Sequence, residues 1–232
     1  MRTNVIATVG PASIGKDILS QLITEGVDII RINTSYGDLN QYDTILQNLS
    51  EIDPESKVKK MLDIKSENTL NLCKKYKFDF IAISFTETKE QVENVKKILP
   101  ECVVISKIES VKGVTNYHEI LDASDGVMIA RGDLGSAVTL EKVPPLQKQF
   151  TKEALIKNKY VIAATEMLLS MTEKPYPTNA EVSDVANAVF DGVNAVMLSE
   201  ETAVGKYPVE AVKIMEKIIT EAENYMREQN IN

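Results

Sequence analysis

Eight short apolar runs, spaced at roughly 20 to 35 residues, constrain the fold of this 232-residue chain more than any other feature. They are rich in β-branched residues, and most are continuously apolar, which is typical of parallel strands covered on both faces. The runs are Val5 to Thr8, Asp28 to Asn33, Val58 to Asp63, Phe80 to Ser84, Val103 to Ile108, Gly126 to Ala130, Tyr160 to Thr165 and Asn194 to Leu198. We interpret them as eight strands.

Helical patterns with recognisable starts lie between these runs. Thr88 and Gln91 form a capping box, as do Thr178 and Glu181, and Pro208 suits the first position of the last helix. Strand and helix alternating eight times predict an α/β fold, a single (β/α)8 TIM barrel with a closed, parallel, eight-stranded sheet and outer helices. A doubly wound open sheet is the alternative, but no Gly-x-Gly-x-x-Gly follows the first run. We expect one domain over residues 1–232.

Composition and charge narrow the class of protein. No apolar stretch approaches the length of a membrane span, and the N-terminus lacks a signal-peptide pattern, so we expect a cytoplasmic protein without a membrane partner. The net charge of −8 argues against a nucleic-acid partner, which needs clustered Lys and Arg. Cys73 and Cys102 lie in no metal-like spacing and are expected to be free thiols, and the lone His118 leaves little room for a histidine-based site.

Charged residues follow several of the predicted strands, where a barrel carries its chemistry. Lys107 and Glu109 lie two apart on one strand, so their side chains point the same way, and Asp133 follows the neighbouring strand. Two carboxylates with water and substrate oxygens suit Mg²⁺ or Mn²⁺. From spacing alone, a Lys–Glu–Asp salt-bridge network explains these residues about equally well.

Other strand ends offer groups for an anion and a monovalent cation. Gly132 and Asp133 can present backbone amides to a carboxylate or phosphate, and Arg31 suits an oxyanion because its guanidinium makes bidentate contacts. Asn33, Ser35 and Asp63 carry oxygen ligands close together. The alternatives are an ordinary turn at Gly132, an Arg31–Asp63 ion pair, and turn-capping roles for the remaining residues.

These residues lie in longer phrases that closely resemble the pyruvate kinase family. The resemblance runs in the family's order from Thr8 to about Met215. It is carried by Arg31-Ile-Asn-Thr-Ser-Tyr-Gly37, Ser106-Lys-Ile-Glu-Ser110, Ser124-Asp-Gly-Val-Met-Ile-Ala-Arg-Gly-Asp-Leu-Gly135, Ala164-Thr-Glu-Met-Leu-Leu-Ser-Met171, the phrase from Pro177 to Val189, Val196-Met-Leu-Ser-Glu-Glu-Thr-Ala203 and Lys206-Tyr-Pro-Val-Glu210. Collinear matches of this length are highly specific.

The resemblance implies phosphoryl transfer from phosphoenolpyruvate to ADP, giving pyruvate and ATP, with Mg²⁺ (or Mn²⁺) and K⁺ as cofactors. Lys107, Thr165 and Arg31 would be catalytic, and Gly132 and Asp133 would join them in binding substrate. The divalent metal would be held by Glu109 and Asp133. The potassium ligands would come from Asn33, Ser35, Asp63 and Ile64. A homo-oligomer is also implied, because the helix from Thr178 to Phe190 lies in a subunit contact in the family.

The chain departs from the family pattern in several places. The family inserts a lid domain after the third strand, whereas Asp63-Ile-Lys-Ser-Glu-Asn-Thr69 passes directly toward a helix, so we expect neither that lid nor the arginine that follows it. No C-terminal regulatory domain is expected either. Tyr36, Asn179, Glu200 and Ile64 replace a histidine, an arginine, a glycine and a threonine of the family. These differences leave two alternatives open: a metal-dependent lyase or decarboxylase acting on pyruvate or oxaloacetate, and a catalytically impaired binding protein.

Overall fold

The computed structural model describes residues 2–65 and 67–229. Ser66, which lies in the connection expected to replace the lid, falls outside the described residues. The strands are β1 (Asn4–Thr8), β2 (Ile29–Asn33), β3 (Lys59–Ile64), β4 (Phe80–Ile83), β5 (Val103–Ile108), β6 (Gly126–Ala130), β7 (Tyr160–Ala164) and β8 (Ala195–Leu198). They form a closed parallel barrel in the order β1 to β8. The predicted barrel and all eight strands are confirmed, and no strand end differs from its predicted position by more than one residue.

Helices follow the strands, as the alternating pattern predicts. Among the described residues the α-helices are α1 (Lys16–Thr24), α2 (Leu39–Ile52), α3 (Leu72–Lys75), α4 (Lys89–Ile98), α5 (Val111–Thr115), α6 (Tyr117–Ala123), α7 (Arg131–Val138), α8 (Val143–Ile156), α9 (Asn179–Phe190), α10 (Glu200–Ala203) and α11 (Pro208–Glu228). Short 3₁₀ helices span Glu67–Asn71, Leu140–Lys142 and Leu169–Thr172. Both predicted capping boxes form, at the start of α4 and of α9, and Pro208 opens α11. No described helix has the length and apolar character needed to cross a bilayer.

The chain divides into two compact units. One comprises Met1–Arg31, Gly37–Val58 and Thr165–Asn232 and contains β1, β8 and most of β2. Its strand pairs are in parallel register, with Ile6 opposite Ile29 on one side of β1 and opposite Met197 on the other. The interior of this unit is apolar, since Val5, Ile6 and Ala7 have no exposed surface.

The second unit comprises Ile32–Tyr36 and Lys59–Ala164 and contains β3 to β7. Parallel pairing runs through all five strands, and Lys107 on β5 lies opposite Met128 on β6. The strand residues are buried almost without interruption, as expected for strands covered on both faces. This continuous ladder fixes where the carboxyl ends of β3, β4, β5 and β6 stand relative to one another, which positions the site below.

Aspartates hold the amino ends of alternate strands together. Asp28, Asp79 and Asp125 each directly precede an even-numbered strand, and each carboxylate accepts a hydrogen bond from a backbone amide at the start of the preceding strand. The donors are Val5, Lys60 and Val104, at 2.8, 2.8 and 2.9 Å respectively. Residues at this end of a barrel serve stability, because the chemistry lies at the opposite end.

Replacing Asp79 by alanine should lower the free energy of unfolding by about 1–3 kcal/mol, because it leaves the half-buried amide of Lys60 without an acceptor. Asp79→Asn keeps a side-chain oxygen and should lose less. Urea denaturation of both variants measures the difference, with Glu101→Ala, an exposed turn residue, as the control. Equal stability of Asp79→Ala and Glu101→Ala would show that the hydrogen bond to the Asp79 carboxylate does not stabilise the fold.

Candidate functional site

A buried lysine lies between two buried carboxylates at the carboxyl end of β5. The Nζ atom of Lys107 is 3.1 Å from Oδ2 of Asp63 and 3.0 Å from Oε1 of Glu109. The Ser84 hydroxyl accepts from the same ammonium at 3.2 Å and donates to Oδ1 of Asp63 at 3.0 Å. Asp63 and Glu109 are each only 1% exposed, and Lys107 is 6% exposed. The i, i+2 spacing therefore does place Lys107 and Glu109 on one face, as the sequence predicts.

The two oxygens of Glu109 have different environments. Oε2 accepts a hydrogen bond from the backbone amide of Phe85 at 2.8 Å, which fixes the carboxylate. Oε1 is buried and forms an ion pair with the Lys107 ammonium at 3.0 Å. With Lys107 charged and both carboxylates ionised, the three buried groups carry one net negative charge. A buried carboxylate oxygen beside a second buried carboxylate suits a divalent cation as a ligand.

The pKa of Glu109 depends on its burial and on the charges of Lys107 and Asp63. Burial raises the pKa of Glu109 above the ordinary glutamate value, while the nearby Lys107 ammonium and the Phe85 amide lower it and the Asp63 carboxylate raises it. The net direction is upward. The ionised form of Glu109 is therefore held against its own desolvation, which is the condition of a group that gains from an additional cation.

Asp133 lies in the first turn of α7, which begins directly after β6. The Gly132–Gly135 phrase is thus the start of a helix rather than a simple turn, and its amides belong to a helix N-terminus, where anions are favoured. The Asp133 side chain is exposed and makes no hydrogen bond or ion pair within the described chain. In that same part of the chain, no group of three or more His, Cys, Asp or Glu side chains is arranged to hold a metal by protein ligands alone.

The residues that the family resemblance assigns to a potassium site lie at the ends of two strands, Asn33 and Ser35 at the end of β2 and Asp63 and Ile64 at the end of β3. Asn33 ends β2, and its side-chain oxygen accepts from the amide of Ser35 at 3.0 Å, which forms a local turn. Thr34, between them, donates from both its amide and its hydroxyl to the carbonyl oxygen of Asp63, at 3.0 and 2.7 Å. The Ile64 carbonyl accepts from the amide of Ser84 at 2.9 Å. The end of β2 is therefore tied to the end of β3 beside the buried Asp63.

Arg31 and Thr165 belong to the other unit. Arg31 is 4% exposed on β2, and its guanidinium donates to the hydroxyl of Thr8 at 2.9 Å. Thr165 directly follows β7 and has φ of 68°, and Glu166 has φ of 53°. Two successive non-glycine residues in the left-handed region are uncommon, above all for a β-branched residue, and such strain concentrates at functional sites.

Two residues of the Lys107 cluster are not singled out by the sequence. Ser84 closes the fourth apolar run, and the same criterion of polar residues at strand ends points to it, although it carries no charge. Phe85 contributes only its backbone amide, and it does so from the left-handed region, with φ of 48°. A main-chain donor has no side-chain signature, so the sequence offers no signal for it.

The cysteines and the histidine lie outside this cluster. Cys73 and Cys102 are half-buried free thiols, as predicted. Burial raises the pKa of Cys73 to about 11, which leaves it protonated and poorly nucleophilic at neutral pH. The exposed His118 lies on α6, 3.5 Å from a carboxylate oxygen of Glu153.

The fold and the cluster define a class of protein: a (β/α)8 barrel with a charged site at the carboxyl ends of its strands. The family model described as "Pyruvate kinase, barrel domain" matches residues 1–69 and 54–212. The chain belongs to the pyruvate kinase family. The two matched segments overlap at residues 54–69, where β3 leads into the connection that the resemblance expects to carry an inserted domain.

Curated relatives support the same assignment. The chain is 47% identical over 158 residues to a pyruvate kinase of Methanocaldococcus jannaschii, covering 65% of this chain and 35% of the relative. It is 49% identical over 174 residues to a pyruvate kinase of Dictyostelium discoideum, covering 73% and 33% respectively. For a pyruvate kinase of Thermococcus litoralis the values are 52% over 151 residues, covering 63% and 32%. The chain thus spans about a third of the length of the curated relatives it matches.

Proposed function

We propose that this chain uses the Lys107 cluster to transfer the phosphoryl group of phosphoenolpyruvate to ADP. The observation that carries the proposal is the buried Lys107 ammonium between Asp63 and Glu109 at the carboxyl end of β5, in a chain of the pyruvate kinase family. The step develops negative charge on the transferring group and on the enolate of pyruvate. A fixed ammonium in a water-poor site stabilises such charge more than a mobile one in water does.

The divalent metal would be held by Glu109 and Asp133, with Mg²⁺ or Mn²⁺ as the ion. Oε1 of Glu109 is a buried carboxylate oxygen that faces the Lys107 ammonium, and Asp133 stands at the start of the helix that follows the neighbouring strand. Two carboxylates leave most positions around a magnesium ion for substrate oxygens and water, which is the usual arrangement at phosphoryl-transfer sites. When bound, the ion would supply Lewis-acid stabilisation of the phosphoryl and enolate oxygens.

The remaining groups would orient the substrate. The amides of Gly132 and Asp133 lie in the first turn of α7, where the carboxylate of the substrate is favoured. The buried guanidinium of Arg31 would hold the phosphate, and Thr165 would stand near the face of the enol that receives a proton. Asn33, Ser35, Asp63 and the Ile64 carbonyl would provide the oxygen ligands of K⁺. A second copy of the chain is the proposed partner, through the α9 surface.

We further propose that the site works without a lid domain. Only residues 65–79 connect β3 to β4, and the described part of this connection holds a 3₁₀ helix and the four-residue α3. A separate domain ordinarily needs about 50 residues or more. Without closure, water would reach the reacting phosphoryl group more easily, so turnover with ADP should be slower than in a closing enzyme.

A coupled assay that follows pyruvate formation from phosphoenolpyruvate and ADP tests the proposal. With Mg²⁺ and K⁺ present, the wild-type chain should form pyruvate in an ADP-dependent manner, and Lys107→Met should lose about 10²- to 10³-fold in kcat because a positioned charge is removed. Lys206→Met, a surface lysine paired with Glu173, should match wild type. If no ADP-dependent pyruvate forms with either Mg²⁺ or Mn²⁺, the phosphotransferase proposal fails.

The short β3–β4 connection favours a second candidate, a metal-dependent lyase that acts on oxaloacetate or pyruvate. Enolate chemistry needs the metal and Lys107, but neither a nucleotide nor a lid. Incubation with oxaloacetate and Mn²⁺ in nucleotide-free buffer, followed by mass spectrometry of the products, tests this candidate. Decarboxylation above the rate given by the metal alone, absent in Lys107→Met, would favour the lyase.

A further inference from the structure

A carboxylate in the other unit joins the segments that follow β7 and β8. Glu201 lies in α10 and has no exposed surface, and its carboxylate accepts hydrogen bonds from two backbone amides. Its Oε1 atom accepts from Leu168 at 3.0 Å, and its Oε2 atom accepts from Ser199 at 2.7 Å. Leu168 lies four residues beyond the end of β7, and Ser199 directly follows β8. One side chain therefore ties together two strand-end segments.

The burial of this carboxylate is not offset by a cation. Among the described residues, Glu201 makes no ion pair, and its hydrogen bonds come from backbone amides. Burial raises the pKa of Glu201 and the neighbouring Glu200 raises it further, while the amide hydrogen bonds lower it. A buried carboxylate without a cation is costly, and a hydrophobic or amide residue would fill the space at less cost. The two carboxylate oxygens therefore serve a purpose at this position that a hydrophobic or amide side chain would not.

Two residues with a strained backbone lie two and three positions before Leu168. Thr165 and Glu166 both occupy the left-handed region, with φ of 68° and 53°. Each such residue costs about 1–3 kcal/mol and persists only when its surroundings fix it. On the chain's C-terminal side, this turn is fixed by the fully buried Met167 and Leu168 and by the bond from the Leu168 amide to Glu201.

We propose that Glu201 is a positioning residue: by holding the amides of Leu168 and Ser199 together, its carboxylate keeps the Thr165–Glu166 turn in the left-handed conformation. Glu201 does not touch the reacting atoms in this proposal. It fixes the backbone that carries the Thr165 hydroxyl. The catalytic consequence rests on the proposed function, in which Thr165 stands beside the enol, whereas the structural consequence does not.

Amide hydrogen exchange of the metal-free chain tests the structural part. Glu201→Gln keeps the size of the side chain but puts an NH₂ donor in place of one acceptor. We expect exchange at Leu168 or Ser199, or both, to accelerate by about 10- to 100-fold, the loss expected for a hydrogen bond to a charged group. Glu201→Ala should accelerate both amides. Strand amides such as that of Ile6 should be unchanged, and Glu200→Gln, the exposed neighbour, should match wild type throughout.

The outcomes separate cleanly. Unchanged exchange at both amides in Glu201→Gln would overturn the proposal, and so would equal acceleration at Ile6, because it would signal general destabilisation instead of a local tie. Should Glu201→Ala fail to fold, Glu201→Gln alone decides.

Turnover provides the second readout. For phosphoenolpyruvate and ADP, Glu201→Gln should lower kcat by about 10-fold or more while KM for phosphoenolpyruvate stays within about 2-fold of wild type, because substrate is held elsewhere. A rise in KM with unchanged kcat would overturn the catalytic consequence. If the wild-type chain shows no turnover, the proposed function fails, and the exchange experiment still decides the role of Glu201.

Discussion

Replacing Lys107 by methionine should lower the free energy of unfolding by about 3–5 kcal/mol at pH 7. Methionine fills a similar volume but removes the cation that faces Asp63 and Glu109, whose side chains are 0% and 1% exposed. Two like charges would then be buried close together without the ammonium between them. Urea denaturation in the presence of a metal chelator measures the change, so that no bound cation substitutes for the ammonium.

A double-mutant cycle identifies the cause. Adding Glu109→Gln to Lys107→Met removes one of the unpaired charges, so the double variant should be more stable than Lys107→Met alone. The surface variant Lys206→Met breaks an ion pair whose side chains are 64% and 67% exposed, and it should change stability by no more than about 0.5 kcal/mol. Additive effects of the two substitutions in the cluster would mean that Lys107 stabilises the fold by packing and not by charge.

Glu109→Gln should separate stability from metal binding. Because burial gives Glu109 a raised pKa in the folded chain, its contribution to stability is present below the ordinary glutamate pKa and is lost as pH rises through the folded value. Without metal, Glu109→Gln should therefore be more stable than wild type at pH 8, and the advantage should shrink as the pH falls toward 4.5, the ordinary value. Chelator-treated protein unfolded in urea at several pH values tests the sign.

The same variant should lose the stabilisation that a divalent ion provides. For wild type, Mn²⁺ with pyruvate at about 100 times its dissociation constant should add about 2.7 kcal/mol to the free energy of unfolding, whereas Glu109→Gln should gain little. Glu101→Gln, an exposed glutamate away from the cluster, serves as the matched control. Equal stabilisation of wild type and Glu109→Gln would place the ion elsewhere than at Glu109.

Much of the site was accessible from sequence because its residues follow apolar strands. The spacing of Lys107 and Glu109 places them on one side of the chain at the end of β5, and the order of strands in a barrel places Asp133 just beyond the end of the next strand. The resemblance to the family likewise rests on sequence motifs such as the one from Ser106 to Ser110.

Other features could not be obtained this way. From spacing alone, a salt-bridge network and a metal site explain Lys107, Glu109 and Asp133 about equally well. In the structure, the third buried charge is Asp63 from β3, and Ser84 from β4 completes the set. Which strand ends supply partners depends on how deeply each side chain lies in the barrel, and a one-dimensional pattern does not specify depth.

The chain by itself determined the fold class, the eight strands and the residues that carry charge at their ends, because periodicity and strand order are local or topological properties. Tertiary structure decided which of those charges are buried together. It leaves Asp133 exposed, buries Glu109 against the Lys107 ammonium, and places Glu201 between two backbone amides. These outcomes follow from desolvation and hydrogen-bond geometry, which exist only once distant segments of the chain are packed against one another.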